Sequence, residues 1–392
     1  MLTSTNIPVM RTGGKVAIAA LVVTSLVVVL AWPYVHTAAF LLDVAGVEGG
    51  IRRWIPVTRF TVTWSDHAVP TRFGPIDVRL YEPAPARAPA VLVVPGVHGG
   101  GVDSPRIVTL CGRLAASGYR VACAPMPELR QYRITSRSTD MIEDATAWLV
   151  DSEFATAGRA TLVGVSFAGG LALVAAGRES IRDRLNAVVS IGGHGSLART
   201  LAFLTTGVLP DGSYRQPHDY PLAVVALSVV TDLVPADQVE PLRTIVRGFL
   251  DASLDGRAGT PESAAMLREL EIRAETLPEP AHAVAAAVLG RDVATLGRTL
   301  APYMGPFGED PALSPELSPR PTAPVFLLHG TDDNVIPSTE TPLTAQDLEA
   351  HGTEVRRLLT PLLTHAHLIT RAPPADLWAL VDFWHDVRVA TE

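Results

Sequence analysis

The sequence predicts an α/β protein with a mostly parallel central sheet, helices on both faces and a helical block inserted into the sheet. Strand-like and helix-like segments alternate from residue 90 to 194, as in βα units whose strands pair in parallel. Helical patterns dominate from Ser196 to about Tyr303, and strand patterns resume at Val325–Leu328. The stretch Pro306–Pro324, rich in Pro, Glu and Ser, is expected to return the chain to the sheet.

The first element is an uncharged apolar stretch. No Asp, Glu, Lys or Arg lies between Val16 and Leu42, and about 20 apolar residues are enough to cross a bilayer. Because Arg11 and Lys15 precede it, we expect 1–15 in the cytoplasm, 16–42 as a single transmembrane anchor in the cell membrane, and the rest outside the cytoplasm. Pro33 is expected to close the apolar run. A signal peptide cleaved near Thr37-Ala38-Ala39, giving a secreted protein, stays open as the alternative.

The first part of the core, 56–194, combines two strand patterns. Alternating segments indicate half-buried strands, and continuous apolar runs are typical of strands covered on both faces. The predicted strands are Arg59–Trp64, Ile76–Tyr81, Ala90–Val94, Arg120–Ala124, Ala160–Val163 and Ala187–Ile191. The predicted helices are Thr139–Leu149 and one that begins at Pro105 after an N-cap at Ser104 and ends at Gly118.

A serine between small residues lies at Gly164-Val165-Ser166-Phe167-Ala168-Gly169-Gly170. The preceding β-branched run and the following Ala/Leu-rich segment make this a strand, a tight turn and a helix. In that context a serine becomes a nucleophile, and the helix N-terminus favours the negative charge that develops beside it. Ala168 stands where the G-x-S-x-G pattern has its last glycine. The sequence therefore predicts Ser166 as a nucleophile.

Suitable partners follow two later strands. Ligands gather at the carboxyl ends of parallel strands. Asp332 and Asp333 come after Val325–Leu328, while His365 and His367 come after the predicted strand Glu354–Leu359. A serine needs a histidine to take its proton and a carboxylate to orient that histidine. Spacing alone leaves both aspartates and both histidines open.

The segments GVSFAGG and HGTDDNVIP resemble the nucleophile elbow and the acid loop of the α/β-hydrolase family. The resemblance covers 56–194 and 321–392, and it implies the family's fold. It implies Asp333 as the acid, with Asp332 as the alternative. It implies His367, which follows a small residue, as the base, with His365 as the alternative.

The resemblance also implies an oxyanion hole in the loop Pro95–Gly101. If Pro95-Gly96 replaces the family's common His-Gly pair, the amide of Val97 is one donor. If His98-Gly99-Gly100-Gly101 matches the HGGG of some esterases and lipases, Gly99 or Gly100 donates instead. The end of the apolar strand at Val94 favours Val97. The second donor is expected to be the amide of Phe167.

The inserted block, 195–320, corresponds to the family's variable lid. It is expected to lie over Ser166 with an apolar inner face. Its predicted helices are Leu197–Thr205, Pro221–Leu233, Val239–Leu250, Pro261–Thr276 and Pro280–Leu300. Ala375–Val387 is predicted as the C-terminal helix.

Composition excludes several classes of function. The formal net charge is −8 and no basic patch is visible, which argues against nucleic-acid binding. The two cysteines, Cys111 and Cys123, are expected to be buried thiols. His98 and His194 follow strands and are expected to line the pocket, but they lack the carboxylate spacing of a metal site.

The sequence thus predicts a membrane-anchored serine hydrolase that cleaves an ester-like acyl bond of a small molecule through an acyl-enzyme. No metal or cofactor is expected. Two alternatives stay open: a catalytically silent binding module on the same fold, and an acyltransferase on the same triad. Neither the acyl group nor the oligomeric state can be deduced from the sequence.

Overall fold

A computed structural model describes residues 12–44, 59–84, 87–254, 259–364 and 373–392, with side chains from residue 19 onward. The chain divides into two units, Met1–Val57 and Thr58–Glu392.

In the first unit, helix α1 spans Thr12–Val44. Its part Ala19–Val44 has a mean hydropathy of 1.9 and is long and apolar enough to cross a membrane; a signal sequence would have the same properties. The predicted segment 16–42 lies within this helix, which contains Pro33 and continues for eleven residues after it, from 34 to 44. No Gly or Pro follows until Gly46, and the Thr37 hydroxyl donates a hydrogen bond to the carbonyl of Pro33 over 3.0 Å.

The second unit contains one sheet of eight described strands. They are β1 (Val62–Val69), β2 (Ile76–Pro83), β3 (Ala90–Val94), β4 (Arg120–Cys123), β5 (Ala160–Val165), β6 (Leu185–Ile191), β7 (Val325–Gly330) and β8 (Val355–Thr360). Their order is β1-β2-β4-β3-β5-β6-β7-β8. β2 pairs antiparallel with β1 and β4, and the remaining pairs are parallel. The predicted class, a mostly parallel α/β sheet, is confirmed.

The edge strand β1 departs from the prediction. It begins at Val62 rather than Arg59 and continues to Val69 rather than ending at Trp64. β1 is mostly exposed, and its register with β2 runs unbroken from Val62↔Pro83 to Val69↔Ile76. The length of β1 therefore depends on its pairing with β2. An apolar pattern in the sequence gives no information about that pairing.

Helices surround this sheet, and eight of the described helices lie between β6 and β7 in the chain. Before the block come α2 (Pro105–Ala116), α3 (Pro127–Arg130), α4 (Arg137–Asp151) and α5 (Phe167–Ala176). The block holds α6 (Leu197–Thr206), α7 (Asp219–Ser228), α8 (Val230–Leu233), α9 (Ala236–Ala252), α10 (Pro261–Glu275), α11 (Ala281–Leu289), α12 (Val293–Leu300) and α13 (Gly305–Gly308). After it come α14 (Glu340–Ala350) and α15 (Pro374–Thr391).

Two predicted helices of the block are each divided in two. Pro221–Leu233 is interrupted at Val229, between α7 and α8. Pro280–Leu300 is interrupted between α11 and α12, where Arg291 has a φ of 54° and the Asp292 carboxylate accepts the Thr295 amide over 3.0 Å. This new N-cap starts a second helix, although the apolar pattern alone looks continuous.

The central strands carry the core of this unit. Every residue of β3 and β4 is buried, as expected for strands covered on both faces. Cys111 and Cys123 are both buried free thiols, as predicted. The carboxyl ends of β3, β5, β6 and β7 lie side by side and place the loops described next.

Candidate active site

Ser166 lies in the turn between β5 and α5 with φ 56° and ψ −134°. An L-residue seldom adopts a positive φ, and such strain typically marks functional positions. Two backbone hydrogen bonds hold the turn: the Ser166 amide donates to the carbonyl of Ile191 over 2.7 Å, and the Gly169 amide donates to the carbonyl of Ser166 over 2.7 Å. The serine is thus fixed at the carboxyl edge of the sheet.

Small residues make this turn possible. A Cβ at Gly164 would overlap the carbonyl oxygen of Ala168, and one at Gly169 would overlap the hydroxyl of Ser190. Only glycine therefore fits at positions 164 and 169. Ala168 is fully buried and its methyl group is accommodated. Alanine in place of the last glycine of G-x-S-x-G is therefore compatible with the turn.

Phe167 is the first residue of α5, directly after Ser166. The first amides of a helix have no intrahelical acceptor, so the Phe167 amide lies next to the serine at the positive end of the helix. The buried ring of Phe167 stacks on the imidazole of His194, with the centroids 4.9 Å apart and an interplanar angle of 12°. This stack packs the first turn of α5 against the loop that follows β6.

The loop after β3 lies directly against the serine. A Cβ at Gly96 would be 2.9 Å from the Cβ of Ser166 and 2.9 Å from the carbonyl oxygen of Val165. In the same loop, the amide of Gly100 donates to Nδ1 of His98 over 3.0 Å, and a Cβ at Gly99 would lie 2.8 Å from the hydroxyl oxygen of Tyr132. In the HGGG-like register, the amide of Gly100 is therefore already engaged.

The two candidate acids differ in their surroundings. Asp333 is 2% exposed, and its Oδ1 accepts the amides of Val335 over 2.8 Å and Ile336 over 3.1 Å. Its Oδ2 lies 3.4 Å from Nε2 of the fully buried His329. Asp332 is exposed. The structure thus buries and orients the side chain of Asp333, whereas that of Asp332 faces solvent.

The two candidate bases, His365 and His367, lie outside the described residues, which stop at Thr364 and resume at Pro373. The structure therefore brings together Ser166, the amide of Phe167 and the Val97 loop, and it places Asp333 two strands away from β5, after β7.

His194 does not line a pocket, so this expectation was wrong. It is fully buried against Phe167 and Gly170 of α5, and its Nε2 donates to the carbonyl of Leu313 over 2.8 Å. Burial lowers the pKa of this imidazole, while the hydrogen bond to Leu313 acts in the opposite direction. Glycine at 170 leaves room for the ring. His194 is thus a packing residue beneath the nucleophile turn.

A buried ion cluster fixes the start of the inserted block. The fully buried carboxylate of Glu340 accepts the amides of Gly195 over 3.0 Å and Ser196 over 2.9 Å, and Nε of Arg199 over 2.8 Å. Burial lowers the pKa of Arg199, but Glu316 and Glu340 more than offset it, so that the pKa is raised. The buried charge of Glu340 is therefore stabilised by one guanidinium and two backbone amides.

The segment of the block before α7 contacts the acid turn. Arg215 donates from one guanidinium nitrogen to the carbonyls of Thr331 and Asp333, each over 3.1 Å. The amide of His218 donates to the carbonyl of Asn334 over 2.9 Å. Sequence reasoning missed these residues, because a lone arginine or histidine in a helical block carries no motif.

No group of three or more His, Cys, Asp or Glu that could hold a metal occurs among the described residues. The site is therefore built, as far as the structure describes it, from a serine, backbone amides and a carboxylate.

No protein-family model matches the chain, and no curated protein matches it either. Solved structures do resemble it. One is a hyperthermophilic esterase from the archaeon Pyrobaculum calidifontis, with 18% identity, a TM-score of 0.44 and coverage of 92% of each chain. Another is brefeldin A esterase, a bacterial homologue of human hormone sensitive lipase, with 16% identity, a TM-score of 0.45 and coverage of 91% of this chain and 81% of the other.

A third is the acylaminoacyl peptidase of Pyrococcus horikoshii, with 13% identity and a TM-score of 0.43, where the match covers 85% of this chain and 42% of the peptidase. At these identities the likeness concerns the fold.

Proposed function

We propose that this chain, which has the α/β-hydrolase fold, is a membrane-anchored serine hydrolase that cleaves an ester-like acyl bond of a small molecule through an acyl-enzyme. The observation that carries the proposal is the strained Ser166 at the end of a central strand, with φ 56°. A helix N-terminus lies on one side of it. On the other side the loop of Gly96 packs so closely that a Cβ at Gly96 would lie 2.9 Å from the Cβ of Ser166. A structural serine has no need of this costly conformation.

In the proposed reaction, His367 takes the proton of the Ser166 hydroxyl as its Oγ attacks the acyl carbon. The carbonyl oxygen becomes an oxyanion that the amides of Val97 and Phe167 stabilise. The intermediate collapses to the acyl-enzyme, and His367 gives its proton to the departing alkoxide. Water then attacks the acyl group with His367 again as base, and the acid and free Ser166 are released.

Asp333 is proposed to hold the His367 imidazole in the tautomer that accepts the serine proton, and to stabilise the imidazolium. Its burial and the two amides on Oδ1 support this role, because they fix the carboxylate before a substrate arrives. The exposed Asp332 has neither feature. No metal or cofactor takes part in any of these steps.

The block 195–320 is proposed as the lid of this site, between core parts 56–194 and 321–392. Its contacts support that role, since Arg215 reaches the turn of Asp333 and the Tyr220 hydroxyl reaches the carbonyl of Val97. A lid that touches both loops can exclude water and select the acyl group.

A fluorophosphonate probe tests the hydrolase proposal, because it phosphonylates only an activated serine. We expect the wild-type chain to be labelled and to hydrolyse p-nitrophenyl esters, and Ser166→Ala to lose both properties. Ser190→Ala is the matched control: Ser190 is also a serine near a strand end, it is buried, and its loss should leave labelling intact.

A folded wild-type chain that is neither labelled nor active would contradict the proposal and favour a silent binding module. Labelling together with acyl transfer to an added alcohol in preference to water would favour an acyltransferase.

The membrane anchor is proposed on helix α1. Its charge-poor apolar part, with a mean hydropathy of 1.9 over Ala19–Val44, and the preceding Arg11 and Lys15 support an uncleaved anchor with the catalytic unit outside the cytoplasm. We expect the chain to resist carbonate extraction from membranes. A mature N-terminus near Ala38 or Ala39 would show a cleaved signal peptide and a secreted protein instead.

A further inference from the structure

The loop that bears the proposed oxyanion donor is held from outside by a tyrosine of the inserted block. Tyr220, the second residue of α7, donates its hydroxyl to the carbonyl oxygen of Val97 over 3.2 Å. The amide of Tyr220 is itself fixed, because it donates to Nδ1 of His218 over 3.1 Å. The backbone that carries this hydroxyl is therefore held in place at the start of the helix.

A second hydrogen bond links the block, through Tyr132, to the same loop. The hydroxyl of the buried Tyr132 donates to Oδ1 of Asp251 in α9 over 2.7 Å. A Cβ at Gly99 would lie 2.8 Å from that hydroxyl oxygen, so the loop packs directly on it. Tyr132 has a φ of 59°, and backbone strain of this kind persists only where surrounding contacts impose it. Burial raises the pKa of Tyr132, which keeps its proton available for Asp251.

The two tyrosines also contact each other. Their rings meet edge to face with the centroids 6.4 Å apart. The ring and the hydroxyl of Tyr220 thus make different contacts: the ring packs against Tyr132, and the hydroxyl binds Val97. Removing the hydroxyl alone leaves the packing in place.

We infer that Tyr220 is a positioning residue for the oxyanion hole, through which the inserted block holds the Val97 amide toward Ser166. The inference rests on the proposed hydrolase function. The amide and carbonyl of Val97 flank a single Cα, so that a hydrogen bond on the carbonyl restricts rotation of the residue and with it the direction of the amide. A donor that is already aimed at the oxyanion needs no reorganisation during the reaction.

The effect of this hydrogen bond belongs to the transition state. The charge on the substrate oxygen develops only during attack, so a misdirected amide lowers kcat and leaves substrate binding almost unchanged. Loss of a complete oxyanion donor costs roughly 10²–10³-fold in kcat. Because Tyr220→Phe loosens the donor without deleting it, we expect kcat to fall about tenfold, with KM changed less than about twofold.

The test compares Tyr220→Phe with Tyr214→Phe in the full-length chain. Tyr214 is another tyrosine of the block, 69% exposed and packed on Gly207, and its hydroxyl has no assigned role. Turnover of a p-nitrophenyl ester is normalised to active serine by end-point fluorophosphonate titration. The Ki of a trifluoromethyl ketone, whose adduct with Ser166 carries an oxyanion, is measured in parallel, as is the Tm.

The expected result is a rise in the Ki for Tyr220→Phe that matches its fall in kcat, at an unchanged Tm, with Tyr214→Phe like wild type. An unchanged kcat and Ki would overturn the inference. A kcat that falls only in step with the Tm or the active fraction would also overturn it, because this would indicate a structural role. A wild-type chain without Ser166-dependent turnover would overturn the proposed function together with this inference.

Discussion

Gly96 and Ser166 are in such close contact that there is no room for a side chain between them. A Cβ at Gly96 would lie 2.9 Å from the Cβ of Ser166 and 3.4 Å from its Oγ. The backbone of the loop after β3 therefore packs directly against the side chain of Ser166 in the turn after β5. We expect the geometry of the proposed site to depend on this contact.

Gly96→Ala is expected to lower kcat. The new methyl group must displace the loop by several tenths of an ångström, and misplacement of catalytic groups by about 1 Å can cost on the order of 10²-fold. We expect a loss of about 10- to 100-fold on a p-nitrophenyl ester. Gly112→Ala in α2 is the control, because a Cβ there meets nothing within 4 Å. Full activity in Gly96→Ala would show that the close packing has no catalytic role.

Ser166→Gly is expected to give a more stable protein than Ser166→Ala, although both are inactive. A non-glycine residue at φ 56° and ψ −134° bears about 1–3 kcal/mol of strain. Glycine removes that strain but adds about 0.5–1 kcal/mol of conformational entropy cost on folding. The difference should therefore be about 1 kcal/mol, measurable by urea unfolding. Equal free energies of unfolding would indicate an unstrained turn.

Local patterns were enough to predict part of this architecture. The turn at Ser166 could be predicted because strand, small-residue turn and helix are contiguous in the sequence. Neither the Tyr220–Val97 bond, across 123 positions, nor the Tyr132–Asp251 bond, across 119, has a local signature. Such contacts arise from the packing of the block on the core, and apolar periodicity does not encode that packing. The break at Val229 was missed for the same reason.

Asp333→Asn is expected to remove nearly all turnover, and Asp332→Asn to leave most of it. The amide could not stabilise the imidazolium and would favour the wrong tautomer of the base, which costs about 10⁴-fold in the serine protease case. The two substitutions are chemically identical and adjacent, so nonspecific effects should be shared. Kinetics on a p-nitrophenyl ester, with Tm as a folding check, decides between them. The reverse ranking would assign the acid to Asp332.

His367→Ala is expected to reduce kcat by about 10⁴-fold or more, because no other group would take the serine proton. His365→Ala, two residues away, should retain most of the activity. Both variants should still fold, which circular dichroism can check. Loss confined to His365→Ala would transfer the role of base to that residue.

The buried His194 should make stability depend on pH below neutrality. Burial lowers the pKa of His194 in the folded chain, while in the unfolded chain it stays near the ordinary value of 6.5. Between these two values the unfolded chain binds a proton that the folded chain does not, so the free energy of unfolding falls as the pH drops below about 6.5. The slope approaches about 1.4 kcal/mol per pH unit.

His194→Gln should flatten this slope between pH 7 and pH 5, because glutamine can still donate to Leu313 but does not titrate. Above pH 7.5 both proteins should show the same pH dependence, since the imidazole is neutral in either state. The pKa values of Glu143, Asp144 and Asp219 are also lowered, but these carboxylates take up protons at a more acidic pH. They therefore do not affect this comparison. Urea unfolding at each pH measures the difference between the two proteins. If the variant keeps the full wild-type slope from pH 7 to pH 5, His194 accepts its proton in the folded chain as readily as in the unfolded one. The stack of Phe167 on His194 would then have to accommodate an imidazolium cation.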